Sequence, residues 1–409
     1  MADESIAGGY TGTRPPRTAE PAEIPSSTPG GDRLRVTMAY AGGVLGPLGG
    51  GVVSPMMLQI GLSLHASTSE VATSLTTYFV AFAAAQLVSG TLGERWGRKR
   101  TVRTAYLVYA VGSVACALAP NLSVLLVMRA VLGVANAFTS PLLLAGLADI
   151  VPKERLSRSV GIYASCLAAG QSFAPLVGGL AAGSSWRLGF VVVAVAAAVL
   201  ALFPPPGEPR PGASAPPWRP LISRRMAWLS AAAFASYMGA SALPFLVSVY
   251  AEEHLGLGSG VTGVVVLGFG LAGLLLGASW GSLTDRYGAK LCGTVAAVVS
   301  AVFVTLCGIT GSGVTLALAW LGAGVSASMV TVALQNLTVR AVPGNRSGSL
   351  SAVSAFRYSG SAIAPLCWLP IYNSSPSASF VAAGATALLA AVALPLVRTG
   401  PEQPARAGA

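Results

Sequence analysis

Apolar stretches of about 20 residues recur along almost the whole chain, and this feature limits the possible folds most strongly. Each stretch is long enough, or nearly so, to cross about 30 Å of hydrocarbon as an α-helix. The twelve stretches cover residues 37–62, 71–92, 104–118, 122–148, 159–183, 188–203, 226–251, 260–281, 291–309, 312–338, 348–372 and 377–397. The 409 residues are 53% hydrophobic and only 10% charged, whereas about a quarter of a typical soluble protein is charged. The pattern predicts an all-α membrane protein with twelve transmembrane helices.

The basic residues give an independent check, because loops that face the cytoplasm retain Lys and Arg. All but three of the 25 Lys and Arg residues lie in the tails or in every second connector. Arg187 lies on the other side, and Arg129 and Arg357 lie inside predicted helices. We therefore expect a multi-pass plasma-membrane protein with both termini cytoplasmic. The net charge of +11 then reflects topology and contact with anionic lipid, and no nucleic-acid partner is expected.

The chain divides into two halves around a segment rich in proline. Residues 1–36 contain few large apolar side chains and are predicted to be a disordered cytoplasmic tail. Residues 37–203 and 226–397 are predicted six-helix bundles. Residues 204–225 are predicted to be an extended cytoplasmic linker, and residues 398–409 a second cytoplasmic tail.

A ten-residue motif occurs once in each half. Gly90–Lys99 matches Gly281–Lys290 at an offset of 191 residues, with Gly, Leu, Arg, Gly and Lys at the same steps. Six predicted helices separate the two copies, so both lie on the same side of the membrane. The two halves are therefore predicted to be parallel repeats, related by a pseudo-twofold axis along the membrane normal.

The first copy resembles the loop Gly-x-Leu-Ala-Asp-Arg-x-Gly-Arg-Lys of the major facilitator superfamily, with Glu94 in place of the usual Asp. The resemblance extends over residues 37–397 and implies that family's fold. The glycines permit tight turns, and an acid can pair with a neighbouring helix end. We expect these residues to form a conformational latch. The alternative is that the charges only anchor the topology, which would explain the basic residues but not the repeated spacing of the glycines and the acid. The predicted latch residues are Gly90, Glu94, Arg95, Gly97, Arg98, Lys99, Gly281, Asp285, Arg286 and Gly288.

The fifth predicted helix resembles the Gly-x-x-x-Gly-Pro-x-x-Gly-Gly signature of the drug-exporting branches of this superfamily. The matching residues are Gly170, Pro175, Gly178 and Gly179, and Ala174 departs from the signature. Small residues allow close helix packing, and the proline removes one helical hydrogen bond. These residues are predicted to form a helix-bending element, although a purely structural small-residue interface would have the same composition.

Polar residues inside the predicted helices are candidates for a substrate cavity, because a buried charge in a membrane needs compensation. Arg129 and Gly133 resemble the superfamily's Arg-x-x-x-Gly element, and Arg357 lies near the predicted bilayer midplane. Alternatively, Arg129 could extend to the interface, and the uncharged residues could link helices. The predicted cavity residues are Arg129, Arg357, Asn136, Gln171, Tyr78, Gln86, Tyr237, Gln335 and Tyr358.

The sequence also lacks several kinds of site. The five cysteines lie in apolar stretches without a Cys-x-x-Cys pair, so neither a metal nor a disulfide framework is predicted. No cofactor, nucleotide-binding loop or enzyme site is predicted. No acidic residue lies at the centre of a predicted helix, so the residue that would carry a proton cannot be named.

These observations favour a secondary transporter, not an enzyme, that works as a monomer on a small-molecule substrate. The resemblance implies export of amphipathic or hydrophobic compounds by alternating access, coupled to proton influx. The alternative is a facilitator or proton symporter for a small metabolite, whose negative charge two buried arginines would suit.

Overall fold

The computed structural model describes residues 29–205 and 216–397. Most of the predicted N-terminal tail, the middle of the predicted linker and the predicted C-terminal tail lie outside these residues. The first helix begins at Pro29, eight residues before the predicted apolar stretch.

Fifteen α-helices make up almost all of the described residues. They are α1 Pro29–Gly51, α2 Met57–Leu64, α3 Thr68–Trp96, α4 Arg98–Ala117, α5 Leu122–Ala137, α6 Ser140–Ile150, α7 Leu156–Ala182, α8 Trp186–Ala201, α9 Arg224–Ser236, α10 Pro244–Glu253, α11 Ser259–Tyr287, α12 Ala289–Cys307, α13 Gly313–Val339, α14 Arg346–Ser374 and α15 Pro376–Leu396. The predicted all-α class is confirmed.

The fifteen helices form twelve consecutive rods, because three rods are interrupted. A 3₁₀ turn separates α1 from α2, a short break separates α5 from α6, and a π-helical turn at Tyr237–Ser241 joins α9 to α10. Pro55 lies in the 3₁₀ turn itself, and Pro141 and Pro244 lie in the first turns of α6 and α10. Proline fits there because its missing N–H would have no partner in a first turn.

Nine of the twelve rods in the two described ranges are long and apolar enough to cross a membrane. The remaining three rods are α4, α8 and α14; α8 is apolar but has only 16 residues. Large apolar side chains point outward from the rods, among them Leu180, Val264, Leu275 and Val314, each more than 70% exposed. Such a surface suits lipid as solvent rather than water.

The two halves meet through a symmetric pair of interfaces. Helix α3 packs against α14, and α7 packs against α11. In the internal repeat, α3 corresponds to α11 and α7 to α14, so each interface is the repeat-related copy of the other. The hydrophobic core of α1–α8 is continuous, whereas α9–α15 contain two core clusters.

The chain alternates between two ends of the molecule. At one end lie the first and last residues of each described range and the connectors after α3, α6, α11 and α13. We call it the basic end, because most Lys and Arg residues of the described ranges lie there. At the other end, α3 begins with a capping box in which Ser67 and Glu70 exchange hydrogen bonds, which satisfies two free backbone N–H groups.

Candidate functional site

Both copies of the repeated motif turn at a glycine with positive φ. Gly97 lies between α3 and α4 with φ 94°, and Gly288 lies between α11 and α12 with φ 84°. Residues with a β-carbon adopt this backbone region only at a cost. The turn therefore explains why glycine recurs at the same step of each copy.

Charged and polar side chains connect the halves at the basic end. Arg98 donates to Glu94 Oε1 at 2.6 Å through Nη2 and to Asp149 Oδ2 at 2.8 Å through Nη1. On the side of the second half, Ser347 Oγ donates to Glu94, and Arg346 Nη1 donates to Asp149. Two carboxylates of the first half thus bind the first turn of α14 in the second half.

The Arg98 guanidinium is the centre of this cluster. Burial by itself lowers the pKa of Arg98, but the Glu94 and Asp149 carboxylates outweigh it, so the pKa of Arg98 lies above its ordinary value. The arginine therefore stays charged and holds both carboxylates in position.

The second copy makes a looser version of the same junction. Arg340 at the end of α13 lies 3.9 Å from Asp285 and donates to Ser157 Oγ of the first half at 3.0 Å. Arg286 lies over the ring of its neighbour Tyr287, with Cζ 5.2 Å from the ring centroid. The two cross-half junctions therefore differ in strength, although the repeat relates them.

The first glycine of each copy allows the halves to approach closely. A β-carbon on Gly90 would overlap the carbonyl oxygen of Ser347, and one on Gly281 would overlap that of Ser157. Near the first copy, Arg95 lies over the ring of Trp218 in the described part of the linker, 5.7 Å from its centroid. Lys99 also makes an interaction.

A cavity of about 130 Å³ lies on the face of the first half that is turned towards the second. Its walls combine glycines, aromatic rings and uncharged polar groups. The lining residues are Gly42, Gly43, Gly46, Pro47, Gly51, Tyr78, Phe79, Phe82, Asn136, Thr139, Ser140, Tyr163, Leu167, Gln171 and Tyr358. Of the predicted cavity residues, Tyr78, Asn136, Gln171 and Tyr358 thus lie together here.

Contacts between aromatic rings join the two halves beside this cavity. The rings of Tyr78 and Phe82 are parallel with centroids 6.4 Å apart, and Phe82 meets the edge of Tyr358 at 4.8 Å. Tyr358 belongs to α14, and the other residues lining the cavity belong to the first half. The cavity can accept an apolar or aromatic body and offers hydrogen-bonding groups for orientation.

Arg129 does not line this cavity, in contrast to the expectation from the sequence. It is fully buried behind Tyr78, with Cζ 4.4 Å from the ring centroid. Its guanidinium donates to the carbonyls of Gly49 at 2.7 Å, Gly50 at 2.9 Å and Ser74 at 3.4 Å. Helix α1 ends at Gly51 and leaves carbonyls without helical partners. Arg129 therefore caps the end of α1.

Arg357 has different surroundings. Its Cζ lies 5.0 Å from the ring centroid of Tyr237 and 5.1 Å from that of Tyr358, and its buried Nε has no hydrogen-bond partner. It lines a separate pocket of about 20 Å³, together with Gln335 and other residues of α9, α13 and α14. Arg357, Tyr237, Tyr358 and Gln335 thus form a second group of predicted residues, joined to the main cavity by Tyr358.

Gln86 lies apart from both pockets. It is buried in the interface between α3 and α14, where its backbone carbonyl accepts from Ser351 Oγ. This position places it in a contact between halves rather than in the cavity, because it lies a little more than one helical turn beyond Phe82 towards the basic end.

The predicted helix-bending residues lie on two faces of α7. A β-carbon on Gly170 would overlap the carbonyl oxygen of Val44, and one on Gly178 would overlap that of Val52. Gly179 faces open space, and Pro175 lies inside the continuous helix. Gly170 and Gly178 therefore allow α7 to pack closely on the first rod, as in the purely structural interpretation, and their part in bending stays a prediction.

Sequence reasoning missed Asp149, Arg346 and Ser347. A signal for this region exists: Val-Pro-x-x-Arg occurs at Val151–Arg155 and again at Val342–Arg346, at the same offset of 191 residues. The repeat marks the connector before each cross-half contact. Within the described ranges, no group of three or more His, Cys, Asp or Glu side chains could hold a metal ion.

Known proteins share both the sequence pattern and the fold. The model of the Major Facilitator Superfamily matches residues 39–267 and 229–409. The "Uncharacterized MFS-type transporter EfpA" of Mycobacterium tuberculosis is 29% identical over 187 residues, which are 44% of this chain and 35% of EfpA. The "Tetracenomycin C resistance and export protein" of Streptomyces glaucescens is 29% identical over 129 residues, 32% of this chain and 23% of that protein. The matched stretches thus span about a third or less of these relatives.

Solved structures match over far more of the chain. The proton:xylose symporter XylE aligns with a TM-score of 0.73 at 14% identity, covering 89% of this chain and 95% of XylE. The human organic anion transporter MFSD10 aligns with a TM-score of 0.74 at 15% identity, covering 90% of this chain and all of MFSD10. At these identities the likeness shows the fold alone. With the family model matching most of its length, this chain belongs to the major facilitator superfamily of multi-pass membrane transporters.

Proposed function

We propose that the protein is a secondary active transporter that exports small amphipathic or hydrophobic compounds by alternating access, coupled to proton influx. The observation that carries the proposal is the aromatic cavity between the halves, together with the cross-half contacts at the basic end. If the two halves rotate against each other and their contacts at one end open and close, a site between them faces each side of the membrane alternately.

The basic-end contacts have the properties that a latch needs. The bonds from Arg98 to Glu94 and Asp149 lie within the first half, so a rigid rotation of the halves preserves them. The contacts of Ser347 with Glu94 and of Arg346 with Asp149 join the halves, so opening must break them. Conformational exchange therefore costs a few cross-half contacts and leaves each bundle intact.

The direction of transport rests on relatives and on one sequence element. A "Multidrug resistance protein B homolog" of Mycobacterium tuberculosis is 30% identical over 167 residues, which are 31% of its length. Together with the export protein of Streptomyces glaucescens and the glycine and proline pattern of α7, it supports export over uptake.

We place the basic end in the cytoplasm of a cell whose plasma membrane holds the protein, because positive residues remain on that side. Both termini and the linker of residues 204–225 are then cytoplasmic, and residues 37–203 and 226–397 are the two moving bundles. In the described conformation the latch is engaged at the cytoplasmic end. A monomer contains the whole cavity.

The positions of the acidic residues limit where a proton could be carried. Every acidic residue in the described ranges lies in a connector or near a helix end, away from the centre of a rod. These residues are Asp32, Glu70, Glu94, Asp149, Glu154, Glu252, Glu253 and Asp285. A proton carrier would therefore have to act near a helix end or arrive with the substrate.

The test uses everted membrane vesicles from a host without its own drug pumps, a panel of fluorescent amphipathic dyes and an imposed pH gradient. We expect the wild type to accumulate at least one dye against its gradient when the vesicle interior is acidic. Gly97→Trp should abolish accumulation because the turn needs positive φ, whereas Gly344→Trp should retain it because Gly344 faces open space with ordinary φ. Accumulation only in the opposite direction, or equal rates in both variants, would contradict the proposal.

A further inference from the structure

The two buried arginines of the transmembrane region are in opposite electrostatic situations. The charge of Arg129 is compensated by hydrogen bonds to three backbone carbonyls, those of Gly49 and Gly50 at the end of α1 and that of Ser74 in α3. Arg357, 8% exposed, has aromatic faces around its guanidinium and a buried Nε without a hydrogen-bond partner. A buried cation left in this state lacks an anionic partner.

Residues 29–205 and 216–397 offer no such partner within reach. The acidic residues of the described part lie in connectors and near helix ends, and none of them forms an ion pair with Arg357. Aromatic faces attract a desolvated guanidinium through the negative face of each ring. A carboxylate that makes two parallel hydrogen bonds to the guanidinium does so more strongly. The rings thus stabilise the charge of Arg357 only in part, and a bound anion would stabilise it further.

A second unpartnered group lies beside Arg357. Gln335 is 7% exposed, and its buried Oε1, which can only accept, has no hydrogen-bond partner, so the Nε2 of the same amide is the atom that can donate to an anion. Both residues line the pocket of about 20 Å³ between α9, α13 and α14, and Thr331 and Ser354 add hydroxyl groups to its wall. This volume holds about one water molecule, so the pocket admits only the tip of a head group, the rest of which lies towards the main cavity. The Gln335 amide N–H and the Ser354 hydroxyl can donate to it, whereas the Thr331 hydroxyl already donates to the carbonyl of Ala327.

Tyr358 connects this pocket with the main cavity. Its ring lies 5.1 Å from Arg357 Cζ, and its side chain also lines the cavity of about 130 Å³. Phe82 contacts the same ring edge-on at 4.8 Å from the first half. A molecule with a flat apolar body and a charged end can therefore place its body among the rings and direct its end towards the guanidinium.

We propose that Arg357, with Gln335, is the anchor for the negatively charged head of the substrate, so the transported compounds are aromatic or amphipathic anions such as carboxylates. This inference rests on the proposed function and narrows it to one charge class. Arg129 takes no part in the selection, because it is fully buried, lies outside the cavity lining and already donates to three backbone carbonyls.

The test measures binding to the purified full chain in lipid nanodiscs. The three probes share one ring system and differ in charge: 2-naphthoate, the neutral 2-naphthamide and the protonated amine of 2-naphthylmethylamine. We expect the wild type to bind naphthoate about tenfold to a hundredfold more tightly than naphthamide, as a charge-assisted hydrogen bond provides, and to bind the amine most weakly.

Variants then assign the discrimination to one residue. Arg357→Gln should remove the preference for naphthoate, and Arg357→Lys should keep part of it. Arg187→Gln is the matched control, because it also removes one cation. Arg187 lies at the end of the molecule opposite the basic end, beside Trp186 and Ser63, so this variant should bind the probes like the wild type. The unfolding temperature without probe shows whether each variant is folded; if Arg357→Gln is not, Arg357→Lys carries the comparison.

The inference fails if wild-type protein gives no saturable binding of naphthoate, binds naphthamide or the amine equally well, or keeps its preference in the Arg357 variants. Vesicle transport separates this failure from that of the proposed function. Arg357-dependent naphthoate binding without export of any compound would leave the anion site standing and overturn export. Export of cationic dyes by Arg357→Gln at the wild-type rate would overturn the anion site and leave export standing.

Discussion

Removing a single hydroxyl at the basic end should open that end more than removing an ion pair beside it. Ser347 is fully buried, and its Oγ donates to the Glu94 carboxylate across the halves. A hydrogen bond to a charged group contributes about 1.5–3 kcal/mol. Ser347→Ala loses this contribution only in the state in which the basic end is closed. The ratio of open to closed molecules should therefore rise roughly 10- to 150-fold.

The neighbouring ion pair should contribute less, although it carries full charges. The Arg346 and Asp149 side chains are 31% and 46% exposed, and exposed pairs typically contribute about 0.2–1 kcal/mol. Asp149 also keeps its partner Arg98 when Arg346 is removed. Arg346→Gln should therefore shift the same ratio by no more than about fivefold.

The assay is a distance measurement between spin labels on the two halves. Glu154→Cys and Gly344→Cys place labels on exposed positions in equivalent connectors at the basic end, in a background without the five native cysteines. Double electron–electron resonance then gives the populations of short and long distances in nanodiscs. A larger shift for Arg346→Gln than for Ser347→Ala, with both proteins folded, would refute the reasoning from burial.

Three further predictions concern topology, stability and packing. A reporter fused after Arg100 should report the cytoplasm and one at Gly256 the outside; a reversed reporter would break the twelve-rod scheme. Arg129→Gln should lower the free energy of unfolding by roughly 2–4 kcal/mol, because carbonyls at the end of α1 lose their partner; an unchanged unfolding temperature would contradict the capping role. In α7, Gly170→Ala should reduce stability and transport because its β-carbon meets the first rod, whereas Gly179→Ala should be tolerated; equal unfolding temperatures would argue against the close packing.

The sequence by itself determined the number and order of the rods, and it predicts their direction across the membrane. A bilayer requires about 20 apolar residues for each helical crossing and retains basic loops on one side, so a pattern along the chain is sufficient to reveal both. The glycine turns at Gly97 and Gly288 were also predictable, since a positive φ demands that residue type wherever the turn occurs.

Tertiary structure decided what each polar residue in the interior does. Arg129 and Arg357 are both arginines inside apolar stretches, and their local sequence does not distinguish a helix cap from an unpartnered cation. The difference arises because α1, about 80 residues earlier in the chain, brings its free carbonyls to Arg129, whereas the Arg357 guanidinium lies against two rings and forms no ion pair with a described residue. Likewise Glu94 finds Ser347 across 253 residues. The bilayer excludes water from the interior, so such a group takes its partner from whichever helix packs beside it, and helix packing is fixed by the whole fold rather than by neighbours in sequence.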